Sequence, residues 1–335
     1  MASKLIDPVV KNIDNISKLS FLSKHQLVLI ILIISILQLG LFSPKAMAQA
    51  DANFLYTLSD FNGPIPFNWA NISADPVRNE IYVVDTRESN ITVFNSQGME
   101  IYRFGDDRSL GPVIDVTVKE DGNILVLSKQ GRKSSITLCD YRGQPIGEVE
   151  LKNLPADFSD FSPDRIVIQR GLIHLMDSQS MKIAVTDSNG LFQKGYDLLS
   201  LLDIKDQNTD RTTEIAGFSV DRRGNILFTV PVLFLAYQLS PEGEITLFGA
   251  KGSAPGRFNQ IGGIVADDSY YYVTDKLKSA VLIFDKDRKF QSEFGYRGVR
   301  PGNLIAPTNL ALDGKGKLYV CQLGKRGVSV FQITH

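Results

Sequence analysis

The chain has 335 residues, 43% of them hydrophobic and 22% charged, with a formal net charge of −1. That length suits one large domain or two ordinary ones, and the composition excludes fibrous and wholly disordered classes. Two cysteines, Cys139 and Cys321, with no CxxC or CxxCH spacing, exclude a thiolate metal site, a redox pair and haem attachment.

Taken in chain order, the first segment reads as an address. Lys4, Lys11, Lys18 and Lys24 precede an apolar run from Leu27 to Phe42, and Ala46-Met47-Ala48 then places small residues at the −3 and −1 positions. This is the pattern of a secretory signal peptide, and it predicts export to the periplasm or beyond. An uncleaved membrane anchor is the alternative reading of the same residues, and the only membrane contact expected. Residues 1–48 are therefore set apart, and 49–335 are read as the folded domain.

From there a repeat runs to the end. Short apolar runs begin at Ile81 (IYVVDT), Ile124 (ILVLSK), Ile173 (IHLMDS), Ile226 (ILFTVP), Tyr271 (YYVTDK) and Leu318 (LYVCQL). Each follows a polar turn, most of these turns follow an earlier apolar strand, and each run is followed by a third strand such as ITVFN, VLIFD or VSVFQ. Turns such as NSQG, DYRG and DSNG then lead to a fourth strand. Each unit is thus four antiparallel strands, a to d, with no recurrent helix. Such a sheet cannot bury both faces alone, but radial stacking buries both, which predicts an all-β, six-bladed β-propeller. The sixth unit lacks strand d, and the stretch Asn53 to Asp60 (NFLYTLSD) reads as that missing strand, closing the ring.

Two turn sets fall at opposite ends of the blades: a–b and c–d turns at one, b–c turns and d–a crossings at the other. Asp275 ends strand b of its unit, as Asp85 and Asp177 do in theirs, with Ser128, Val230 and Gln322 in the remaining units. Repetition argues for an architectural role, a short carboxylate accepting N–H groups of the following turn, over a catalytic one.

The units at 248–295 and after it resemble NHL repeats. The resemblance rests on Phe248, Gly249, Gly252, Pro255, Gly256, Phe258, Asp267, Tyr272, Val273, Asp275, Phe284 and Asp285, with Tyr82, Val83, Asp85, Phe94 and Gly98 matching in the first unit. Units two to four share only the strand and turn skeleton. The resemblance implies two functional classes: binding modules, and tunnel-site hydrolases or lyases that hold Ca2+ or a His-bound metal. His174 and His335 are too few for a His-bound metal. Asp115, Glu214 and Asn309 stand near strand a starts, where they could offer oxygens to Ca2+ at the tunnel mouth. No Gly-rich phosphate loop, nucleophile elbow or paired-carboxylate motif is present.

Partner binding has the better sequence support, so no catalytic residue and no cofactor is assigned. From Lys276 to the end, eleven Lys/Arg stand against four Asp/Glu, on an otherwise acidic body. Lys276, Lys278, Arg297, Arg300, Lys325 and Arg326 fall on the b–c/d–a face and would attract an acidic protein or an anionic glycan. Beside them Val232, Leu233 and Phe234 replace a turn that is polar in other units. The crossing before it carries Leu198, Leu199, Leu201, Leu202 and Ile204, read as a short helix that could cover that loop. Nucleic acid is not an expected partner for an exported chain of this charge. Cys139 and Cys321 fall in blades two and six and are expected to be free, buried thiols.

Overall fold

The structure is a computed structural model that describes residues 50–67, 70–204 and 213–334. The predicted signal or anchor over 1–48 lies outside the described residues, as do His335 and positions 205–212 of the crossing between blades 3 and 4.

Six four-stranded antiparallel sheets account for the domain. In order a to d, blade 1 is Ala70–Asp75, Glu80–Asp85, Asn90–Phe94 and Glu100–Phe104. Blade 2 is Val113–Val118, Ile124–Gln130, Lys133–Cys139 and Pro145–Glu148. Blade 3 is Arg165–Gln169, Leu172–Asp177, Lys182–Thr186 and Phe192–Asp197. Blade 4 is Phe218–Val220, Ile226–Val230, Leu235–Leu239 and Ile245–Phe248. Blade 5 is Ile261–Ala266, Tyr270–Asp275, Ala280–Asp285 and Phe290–Phe294.

Blade 6 takes strands a to c from Pro307–Leu312, Lys317–Gln322 and Val328–Thr334, and its strand d from the other end of the chain, Asp51–Thr57. The register runs from Asp51 opposite Thr334 to Thr57 opposite Ser329. The ring closes as the incomplete sixth unit predicts.

Burial follows from the architecture. Strands b and c are sandwiched between neighbouring blades, so Tyr270–Asp275 and Ala280–Asp285 are buried at every position, whereas Asp51–Thr57 alternates between exposed and half-buried. Strands covered on both faces read as near-continuous apolar runs; an outer strand keeps the two-residue alternation. Six apolar layers fill the six junctions. Tyr272, Ile283, Val320 and Phe331, for example, pack between blades 5 and 6, and Met176, Ile183, Ile226 and Phe228 between blades 3 and 4. Cys139 and Cys321 are free and buried.

Around the tunnel, blades 4, 5 and 6 approach backbone to backbone. A Cβ on Gly217 would lie 2.5 Å from Gly262 O, and one on Gly263 would lie 2.4 Å from Thr308 O. These glycines are there because nothing larger fits.

Candidate functional site

The repeated carboxylate explains how the b–c/d–a face is held. Asp275 is fully buried. It accepts N–H groups from Lys278 in its own b–c turn (2.9 Å) and from Asn259 (2.6 Å) and Gln260 in the crossing from blade 4. Asp177 does the same with Gln179 and Ser180 on one side and Ser162 on the other. Asp85 holds Arg87 and Glu88 of its turn. In blade 6, Gln322 Oε1 accepts Ile305 N–H of the crossing. The aspartates of blades 1, 3 and 5 therefore staple the b–c turn to the strand end, and those of blades 3 and 5 also staple the crossing beside it. Gln322 holds the crossing, as does Ser128, whose hydroxyl donates to Leu110 O. Val230 cannot do this, and in blade 4 the neighbouring Thr229 hydroxyl accepts Gly217 N–H and donates to Gly262 O.

On this stapled surface the predicted sector divides. Lys278 is mostly buried, ion-paired with Glu293 at 3.2 Å and bonded to Ala254 O, so it belongs to the scaffold. Arg326 is half-buried and donates to Val299 O. Arg297, Arg300 and Lys325 are exposed. Among them stand exposed apolar side chains that composition alone did not single out: Leu277 (67% exposed), Tyr296 (55%) and Val299 (73%).

In blade 4, Pro231–Leu233 forms a single 3-10 turn ending at Phe234, which adopts φ +58°. Val232 and Leu233 are exposed; Phe234 is half-buried, with Lys251 Nζ 5.1 Å from its ring centre. The leucine-rich crossing does form a short helix, Leu198–Leu201, capped by Asp197 Oδ1 accepting the Leu199 and Ser200 N–H groups. It lies against strands c and d of blade 3 and shares the apolar layer that holds Val230 and Leu235, the base of the loop, while Val232 and Leu233 at the tip stay exposed.

Lys276 turns inward. Its Cε lies near strand a of blade 5, and burial lowers its pKa, opposed by Glu214, while Arg165 adds to the lowering. Among the described residues, Lys276 therefore lies within electrostatic reach of one exposed carboxylate, Glu214, and one further cation, Arg165.

Deeper, the strand a side chains enclose a cavity of only about 50 Å³, reached by Asn71, Asp115, Arg165 and Asn309 among others. Its polar atoms are already committed. Asn309 Nδ2 donates to Asn71 Oδ1 (2.6 Å) and to Ala70 O (3.1 Å), and Asn71 Nδ2 donates to Ile114 O. Asp115 accepts Val116 and Ile166 N–H groups, each at 3.0 Å. Its carboxyl is raised to about 6 by burial, against the lowering effect of Arg165 and those two N–H groups.

A Ca2+ ion needs six to eight oxygen ligands. Asp115, Asn309 and Glu214 do not supply a converging set: the first two link blades, and the third faces Lys276. Among the described residues, no group of three or more His, Cys, Asp or Glu could hold a metal. His174 is buried in strand b of blade 3, its pKa lowered by that burial.

Comparison with known proteins agrees with the architecture. The family described as 6-bladed beta-propeller (DUF5128) matches residues 256–334, which is most of blades 5 and 6. No curated protein matches the sequence. Among solved structures, the chain is similar to a protein of unknown function from Bacteroides thetaiotaomicron at 13% identity and a TM-score of 0.61, covering 85% of this chain and 77% of that one. It is similar to a virginiamycin B lyase from Staphylococcus aureus at 14% identity and a TM-score of 0.54, covering 82% and 83%. A putative gluconolactonase aligns at 12% identity and a TM-score of 0.54, covering 86% and 93%. At these identities the likeness is one of fold.

Proposed function

We propose that this propeller is an exported binding module of NHL type that docks a protein partner through the b–c/d–a face of blades 5 and 6. The observation that carries this reading is the placement of exposed Leu277, Tyr296 and Val299 among exposed Arg297, Arg300 and Lys325. Exposed apolar groups interspersed with cations in the b–c turns and the crossing are the make-up of a protein contact, and they fit a partner presenting apolar groups within an acidic surface. Val232 and Leu233 of blade 4 continue the apolar rim. Export is supported by the Lys-rich start, the apolar run from Leu27 and the Ala46-Met47-Ala48 motif. The tunnel reading, hydrolase or lyase, has less to rest on, because Asn71, Asp115 and Asn309 in the tunnel already bond one blade to the next.

The test is salt-dependent capture from an envelope extract, using the full chain. Arg297→Glu/Arg300→Glu with Val299→Asp should abolish capture, while Lys289→Glu/Lys315→Glu on the opposite face should leave it intact. Equal capture by both variants would overturn the assignment of the face. Capture that survives proteolysis of the extract would overturn the protein partner in favour of an anionic glycan.

A further inference from the structure

On the opposite, a–b/c–d face, blades 4 and 5 enclose a second cavity of about 160 Å³. Its wall includes Tyr271, whose hydroxyl donates to Gln238 Oε1, and Lys286, whose Nζ stands 4.1 Å from the centre of the Tyr271 ring. Four cations line the space, Arg222, Arg223, Lys286 and Arg288, against three carboxylates, Asp221, Asp267 and Asp268.

The carboxylates are occupied. Asp221 accepts the Arg223 and Asn225 N–H groups on one oxygen and the Asn225 side-chain amide on the other. Asp267 accepts Ser269 and Tyr270 N–H groups and the Tyr272 hydroxyl. Asp268 lies 3.7 Å from Arg222, which also donates to Gly314 O. The side chains of Arg223, Lys286 and Arg288 have no hydrogen-bond acceptor among the described residues, in a cavity that already half-buries Lys286. Elsewhere on this face Arg78 holds Asp75 and Glu120 O, Lys317 holds Ser96 O and Lys194 holds Pro241 O, whereas the Arg142 and Lys315 side chains, like those of the exposed Arg223 and Arg288, have no acceptor among the described residues.

A second observation concerns the turn that carries Arg288, one of thirteen non-glycine residues at positive φ among those described. In blades 1 to 4 the fourth residue of the c–d turn is glycine, Gly98, Gly143, Gly190 and Gly243, with φ between +81° and +97°. Blade 5 puts Arg288 there at φ +65°. A side chain is disfavoured in that region, and a strained residue at a cavity wall points to use of the side chain.

We propose that this cavity binds a small oxyanion-bearing ligand, a carboxylate or phosphate group on a body smaller than a drug-sized molecule, held by Arg223, Lys286 and Arg288. Its volume lies below the roughly 300 Å³ at which drug-sized sites begin. Guanidinium forks match carboxylate and phosphate oxygens, and the Gln238 amide nitrogen, whose oxygen Tyr271 already holds, adds a polar contact for the body of the ligand. The site is separate from the docking face and does not depend on it.

The experiment is calorimetric titration of the full chain at low ionic strength with inorganic phosphate, glucuronate and, as the uncharged control, glucose. Saturable binding of at least one anion and none of glucose is expected. Stronger binding of glucuronate would assign a sugar acid, and stronger binding of phosphate a phosphate ester. Arg288→Gly restores the residue of the other turns, so it should fold at least as well as the parent yet bind at least tenfold more weakly. Lys286→Gln should weaken binding similarly, and Lys289→Gln, on the same turn but outside the cavity, should not. No saturable anion binding, or binding unchanged in both Arg288→Gly and Lys286→Gln, would overturn the proposal.

Discussion

Beside the tunnel, blades 5 and 6 meet backbone on backbone, inside an apolar layer of their own, whereas blades 3 and 4 meet through side chains. At the first junction Gly263 lies against Thr308 and Asn309, and Thr274 Oγ1 donates to Thr308 O at 2.8 Å. At the second, Met176, Ile183, Leu198, Ile215 and Phe228 fill the gap. Among the described residues, the hydrogen bonds there are a long Ile215 N–H to Ser178 O (3.4 Å) and two at the outer turns, Arg170 to Arg223 O and Lys194 to Pro241 O. The first kind of junction is fixed by fit and tolerates no added atom. The second is fixed by volume and can repack. A single repeat therefore builds a ring whose parts differ in stiffness.

The largest effect should come from adding one carbon to the tight junction. Gly263→Ala places a Cβ 2.4 Å from Thr308 O and 3.0 Å from Asn309 Cα, both backbone atoms. The expected cost is about 3 kcal/mol or more, measured by urea denaturation. Leu198→Ala removes a fully buried side chain from the apolar junction, where partial collapse should hold the loss to about 2 kcal/mol. If Leu198→Ala proved the more damaging of the two, the contrast in stiffness would be wrong.

A smaller effect, resolved by pH, probes the junction of blades 2 and 3, where Asp115 takes the Ile166 N–H. Burial raises this carboxyl from 3.8 to about 6, so the folded protein keeps a proton that the unfolded chain releases. Its contribution is fully present below the unfolded value and is lost as pH climbs to about 6, above which the stability curve flattens. Asp115→Asn should remove that slope, worth up to about 3 kcal/mol. A wild type and variant with parallel stability curves between pH 4 and 7 would show that Asp115 does not titrate there.

What could be read from the sequence was whatever repeats. Asp85, Asp177 and Asp275 announce their shared role because they recur at one strand end, and the missing sixth strand d announces its replacement at the other terminus. Contacts that do not recur were out of reach. Lys278 counts as a surface charge until Glu293, fifteen residues away on strand d, is seen beside it. Val299 and Tyr296 look like ordinary loop residues until the crossing is folded and they face outward. The cavity between blades 4 and 5 went unread, although it left one mark in the chain: DKDR where the other turns end in glycine.

The pairing of Asp51–Thr57 with Val328–Thr334 also has a consequence in time. During synthesis the strand made first must wait for the strand made last, and neither edge is covered until both exist. A chain cut short anywhere before Val328 would carry two open sheet edges and could not seal them, and exposed edges invite pairing with other chains. Ring closure therefore depends on both ends of the propeller at once: only a chain that carries Asp51–Thr57 and Val328–Thr334 together covers both edges.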